Sequence, residues 1–420
     1  MSLLMEGATG YPLAGVPIIE KGSLMRRVYF DYNATTPIHP DIAIFVKPFF
    51  RELFGNPSSL HWAGRDVRPY VDDAREQVAA MMKAAPGEIV FTAGGTEADN
   101  QAIKGVAYSL SGKGRHIITT KIEHPGVLAT CRYLESKGFS VTYLDVNRDG
   151  LVDPEDVRKA ITGETVLISV MYANNETGTV LPIKEIGAIA REAGVLFHSD
   201  MVQAMGKIDI DVRELNVDLG AFSGHKVYAP KGIGALYVRE GLEIDNLIHG
   251  GHQEMGRRAG TENIIGIVTF GKACEIMMGE MAEENERIEF LRERLLDGLH
   301  ARIDDLHLNG DPERRLPNTL NPSFEFVESE SLLIGLDLAG IAVSAGSACS
   351  SGSTEPSHVL LGMGIEPERC QSALRISLGR ENTEEDIDYA LDIIPDVVRR
   401  LREMSPFHKT TNLSLSRFPL

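Results

Sequence analysis

Six short apolar runs punctuate residues 88 to 238: EIVFT (88–92), HIITT (116–120), VLISVMY (166–172), VLFHSD (195–200), LGAFSG (219–224) and GALYV (234–238). Each is too short for an ordinary helix and too evenly apolar for a half-exposed strand, so each reads as a strand buried on both faces. Stretches of helical period lie between several of them. In VDDAREQVAAMM, Val71, Ala74, Val78 and Met81 recur at spacings of three and four, the stripe of an amphipathic helix. Strands alternating with helices predict an α/β fold with a mostly parallel central sheet, whose ligands gather at the carboxyl ends of the strands. From about residue 282 the texture changes. The charged helix EENERIEFLRERLLDGLH carries Ile288, Leu291, Leu295 and Leu299 on one side, and the strands and helices after it alternate less regularly. A domain boundary is expected near residue 280.

Charge narrows what such a sheet can serve. Sixty acidic residues against 42 basic ones leave a net charge of -18, which repels phosphate backbones and anionic membrane surfaces, and no local basic patch reverses the field. Neither a nucleic-acid partner nor a membrane is expected. No apolar run reaches the ~18 residues of a membrane helix, and the opening MSLLMEGATGYPLAGVPIIEKGSLMRR lacks the basic start and long apolar stretch of a secretion signal. The four cysteines, at 131, 274, 349 and 370, form no C-x-x-C pair and no Cys/His cluster with zinc spacing. A reducing cytoplasm is the default expectation.

The polar residues at the strand ends carry the chemistry. VFTAGGTEADN runs from a strand through Gly94 and Gly95 to Thr96 and a helix start, where free amides form an anion site. A tight turn with Thr96 as helix cap is the competing reading. The G-K-[ST] ending of a nucleotide-binding P-loop is missing. Asp200 closes the strand VLFHSD, with Gln203 three residues on, so its carboxylate faces the ligand crevice unless it merely caps a helix. Lys226 follows the strand before it in FSGHKVYAPKG, beside Ser223, Gly224 and His225. Desolvation there would lower its pKa and leave a usable amine, whereas most lysines are simply exposed. An anion site, a carboxylate able to hold a pyridinium proton and a reactive amine are together what pyridoxal phosphate requires.

Ten segments then occur in one order over residues 28 to 380: VYFDYNATTP, GNPSSLHWAGR, FTAGGTEADN, EHPGVL, NNETG, HSDMVQ, SGHK, RRAGTEN, GSACSSGSTEPSHVL and LRISLGR. The set resembles the NifS/IscS-type cysteine desulfurases, of the class V aminotransferase branch of fold type I pyridoxal phosphate enzymes. The resemblance implies a large cofactor-binding domain over residues 41–280 and a smaller α+β domain from 26–40 and 281–404. Residues 1–25 would be an extension and 405–420 a tail.

The resemblance also implies roles. Lys226 would carry the cofactor and move protons at the substrate, Asp200 would pair with the ring nitrogen, and His124 would stack on the ring. Gln203 and Asn175 match positions near the ring oxygen, with Asn175 also beside the substrate. Gly95, Thr96, Ser223 and His225 match the phosphate site, and Thr261 matches a phosphate contact delivered by the second subunit of a homodimer. Arg375 lies on the strand face opposite Leu374, Ile376 and Leu378, and a guanidinium grips a carboxylate with two hydrogen bonds. It would bind the substrate carboxylate, with Asn33 nearby. Ala93 and Ala229 stand where relatives often have Ser and Gly, a departure that touches only local backbone geometry.

The activity so implied converts L-cysteine to L-alanine, with the sulfur held as a persulfide on Cys349 and passed to an acceptor such as an iron–sulfur scaffold. Iron at Cys349 would arise only in a complex with that scaffold. A selenocysteine lyase shares this residue set; a non-catalytic sulfur carrier would have lost Lys226, Asp200 or Cys349, and all three are present. Cys349 sits in SAGSACSSGSTEPSHVL, a run of small residues that burial cannot anchor. A loop held loosely there suits a thiol that must take sulfur at the cofactor and deliver it outside.

Overall fold

The computed structural model describes residues 26–345 and 356–405, so Cys349 and most of its loop lie outside the described residues. The six expected strands and one more assemble into a seven-stranded sheet: β1 (Ile89–Thr92), β2 (His116–Thr120), β3 (Ser140–Leu144), β4 (Thr165–Ser169), β5 (Leu196–Asp200), β6 (Leu219–Ser223) and β7 (Gly234–Val238). Their order across the sheet is β1-β7-β6-β5-β4-β2-β3. Every pairing from β6 through to β3 is parallel, and β7 runs antiparallel between β6 and β1. The sheet is thus mostly parallel, and helices supply its crossovers.

β3 is absent from the six runs for a physical reason. SVTYL lies at the sheet edge and is buried fully only at Leu144, so it lacks the continuous apolar signature of a two-face-buried strand. The run 166–172 overshoots its strand: Val170 to Tyr172 have left the sheet, though Val170 and Met171 remain buried. The stripe at Val71 to Met81 belongs to helix α1 (Trp62–Met81) and packs into the core as its period predicts. Helices α2 (Gly95–Ser109) and α3 (Pro125–Glu135) follow β1 and β2, and α4 (Ile183–Ala193) leads to β5.

The expected boundary near residue 280 falls inside helix α5 (Ile264–His300), 37 residues without a break. Its first half sends Ile267, Phe270, Cys274 and Met277 into the core of the large sheet. Its second half sends Ile288, Leu291, Leu295 and Leu299 into a second core with Val28, Phe30, Leu374, Ile376 and residues of helix α6 (Glu384–Met404). A single rod therefore enters both cores, which sequence texture read as a change of domain. Residues 359 to 373 also depart from the expected split, because Val359, Leu360, Met363 and Ala373 pack with the large sheet.

Candidate active site

The carboxyl ends of β1, β2, β4, β5 and β6 converge on one crevice, walled on its far side by residues 31–36 and by β8 (Leu374–Ser377). After β1 the chain turns through Gly94 into α2, whose start carries no side-chain cap. Thr96 is therefore not the cap; it stands exposed on the first turn, which leaves the helix-start amides directed outward. Two glycines make this turn possible. A Cβ at Gly95 would lie 2.6 Å from Val202 Cγ2, and one at Gly234 on β7 would lie 2.7 Å from Gly94 Cα and 2.5 Å from the Phe222 carbonyl oxygen. Ser223, buried at the end of β6, faces the same turn.

Lys226 sits in a 3-10 turn, Gly224–Lys226, at the end of β6. Its ammonium donates to the backbone oxygens of Asn33 and of Ala34, the latter at 2.8 Å. Asp200 ends β5, 6% exposed, and its Oδ1 accepts the Val202 amide at 2.9 Å. Burial raises its pKa, and the neighbouring His124, the Val202 amide and Lys226 oppose that rise. His124 caps helix α3, its Nδ1 accepting the Gly126 amide at 3.0 Å, so the capping role and a place at the crevice coexist. Burial lowers its pKa, as do Lys226 and His358, against the pull of Asp200. His225 is pushed down to about 4 by burial and nearby lysines, and its Nδ1 lies 3.1 Å from Thr35 Oγ1. It is a neutral imidazole with one nitrogen already partnered.

Arg375 does not sit on the surface. It is 3% exposed, its Nη2 donates to Asp31 Oδ1 at 2.8 Å, its Nη1 to the Asn175 carbonyl at 3.2 Å, and its buried Nε has no partner among the described residues. Asn175 is half-buried beside it. Asn33, 1% exposed, uses its side chain on the framework: Nδ2 donates to Thr319 Oγ1 at 2.8 Å and to the Asn175 carbonyl at 3.3 Å, while Oδ1 accepts from Asn318 at 3.0 Å. Its backbone oxygen receives both Gln203 Nε2, at 3.0 Å, and Lys226. Thr261 stands exposed ahead of α5, and among the described residues no hydrogen bond joins it to this cluster.

Several participants escaped sequence reasoning. Asp31 inside DYNATT pairs with the buried arginine. Glu176 in NNETG accepts Ser357 Oγ at 2.5 Å, which ties the start of the helix after the cysteine segment to the crevice wall. Lys207 donates weakly to Gln203, and burial brings it down to about 7. Each lay within or beside a quoted motif, but type and spacing alone do not reveal a partner distant in sequence.

Comparison with known proteins defines the class. The model of the class-V aminotransferases matches residues 28–390, and the chain belongs to that family. More particularly, it is 54% identical over 383 residues to a protein named cysteine desulfurase IscS from Clostridium botulinum, covering 91% of this chain and 96% of that one. It is 51% identical to the protein of the same name from Methanosarcina thermophila, covering 91% and 94%. Among solved structures, a NifS-like protein superposes with a TM-score of 0.84 at 40% identity, over 89% of this chain and 100% of the other. SspA in complex with cysteine superposes with a TM-score of 0.76 at 39% identity, over 84% and 99%. Among the described residues no helix is long and apolar enough to cross a membrane.

Proposed function

We propose that this chain is a cysteine desulfurase, taking sulfur from L-cysteine and releasing L-alanine. The observation that carries the reading is the convergence of Asp200, His124 and Lys226 at one sheet edge, in a chain 54% identical over 383 residues to a relative of that name.

The donor set fits pyridoxal phosphate. The uncapped start of α2, Thr96, Ser223 and His225 would hold the phosphate; Asp200 and Gln203 would face the ring edge; His124 would lie on the ring; and Lys226 would bind covalently. When bound, the cofactor supplies an electron sink for bonds at the substrate's α- and β-carbons. The remaining tasks fall to the chain. Arg375, its guanidinium oriented by Asp31 and Asn175, grips the substrate carboxylate. Lys226, held by the carbonyls of Asn33 and Ala34, moves protons at the α-carbon. Asn33 acts as the post on which Gln203, Lys226 and the Asn318–Thr319 wall are aligned. Cys349 Sγ then attacks the substrate sulfur: an S–S bond forms, the C–S bond breaks with its electron pair left on carbon, and protonation of that carbon leads to alanine.

The persulfide on Cys349 would pass to an acceptor protein such as an iron–sulfur scaffold, in the cytoplasm. Thr261 would complete the phosphate site of a second copy, which makes the working unit a homodimer. The test is Cys349→Ser: the purified variant retains the cofactor's visible absorbance and loses sulfide release from L-cysteine in the presence of a reductant. Full sulfide release by that variant overturns the assignment.

A further inference from the structure

Two buried polar atoms face each other beneath the crevice without a hydrogen bond. Asp99 Oδ1, on α2, and His198 Nε2, on β5, are 3.5 Å apart, and their side chains are 1% and 0% exposed. His198 lies two residues before Asp200 and so on the same face of the strand. Its other nitrogen, Nδ1, is 2.9 Å from Ser169 Oγ on β4. Burial drives His198 down to about 3, so the ring is neutral with a single N–H. An oxygen of Asp99, a ring nitrogen of His124 and an oxygen of Asp200 all lie within 4.8 Å of one another.

Two carboxyls at that separation in a dry floor do not both ionise unless each has its own positive partner. The partners are unequal. Asp200 accepts the Val202 amide and is faced by His124 from the β2–α3 link and by Lys226 from the turn after β6. Asp99 is faced by Asp200 and His198 of β5 and by Glu123 and His124 of the β2–α3 link, and its Oδ1 accepts no hydrogen bond from any described residue. Burial and both carboxyls raise its pKa well above the ordinary range.

We propose that Asp99 is a positioning residue: it is the neutral carboxylic acid of the Asp99–Asp200 pair, leaving the negative charge on Asp200 and packing beneath that strand end against His198. The inference rests on Asp200 as the group that meets the cofactor's ring nitrogen. Asp99 touches neither substrate nor reacting atoms; it acts by keeping Asp200 the only anion on the crevice floor.

Infrared spectra of the purified holoenzyme, with and without [13C]aspartate labelling, test this on the native sequence. A carboxylic-acid carbonyl band that persists at pH 7 and shifts with the aspartate label is expected; the label separates it from Glu123, which burial pushes up to about 8. The band should vanish in Asp99→Asn. That variant should keep the pH midpoint of the bound cofactor's visible absorbance and turn over L-cysteine within about threefold of the native rate, since an uncharged side chain of the same shape replaces an uncharged one. Asp99→Leu takes away the polar group that faces His198 Nε2 at 3.5 Å and leaves that buried ring nitrogen against hydrocarbon, and a fall in turnover of about tenfold is expected. The absence of a label-sensitive acid band, or a midpoint in Asp99→Asn moved by about one pH unit or more, overturns the proposal. Failure of the cofactor reading looks different, because protein without visible absorbance still reports the state of Asp99 in the infrared.

Discussion

Replacing Arg375 by lysine tests how the crevice recognises its substrate. The guanidinium is 3% exposed and makes one charge-assisted bond to Asp31, at 2.8 Å, and one bond to the Asn175 carbonyl, at 3.2 Å. Lysine keeps a positive charge near Asp31 but presents a single point donor where arginine presents a fork. A hydrogen bond to a charged group is worth about 1.5–3 kcal/mol, so losing one to the substrate carboxylate lowers kcat/KM for L-cysteine by roughly 10- to 150-fold. The assay compares L-cysteine with cysteamine, which has the same thiol and amine but no carboxylate. The native preference for L-cysteine should shrink by the same factor in Arg375→Lys, with cysteamine turnover almost unchanged. Shifting the charge of a buried ion pair also perturbs the fold, so thermal unfolding midpoints accompany the kinetics. Equal losses on the two substrates would mean that Arg375 acts only through packing, and the carboxylate argument would fail.

Two further outcomes follow from the geometry. Burial pushes Glu176 from its ordinary 4.5 up to about 7, with Ser357 and Arg375 opposing the rise. A carboxyl raised in the folded state holds its proton longer there, so its contribution to stability is greatest below pH 4.5 and is lost as pH climbs to about 7; urea midpoints at pH 5 and pH 8 should fall less in Glu176→Gln than in the native protein, and equal falls refute the assignment. Gly234→Ala places a Cβ 2.5 Å from the Phe222 carbonyl and 2.7 Å from Gly94 Cα, both backbone atoms that cannot rotate away. Such overpacking costs about 1–3 kcal/mol, and a lowered unfolding midpoint together with poorer cofactor retention on dialysis is expected, whereas native retention would detach the Gly94 turn from the cofactor site.

Much of the site was legible because chemistry at the carboxyl end of a buried strand leaves a local mark. Asp200 and Ser223 each end an apolar run with a polar side chain, and Lys226 follows within one turn. Strand β3 was not legible, since an edge strand with partly exposed faces has no apolar run to show. Nor was the passage of α5 through two cores, because a continuous helix carries no composition break at the point where its neighbours change.

What the sequence determined by itself was therefore the kind of sheet, the reactive groups at its edge and the class of reaction they suit, all consequences of residue type and period. Tertiary structure decided how those groups are paired. It made Asn33 a post joining residues 175, 203, 226, 318 and 319, and it gave Arg375 the partner Asp31 from 344 residues away. It also set Asp99 and His198 face to face. Burial makes the state of a polar group depend on the few atoms around it, and those atoms come from segments whose meeting no local pattern encodes.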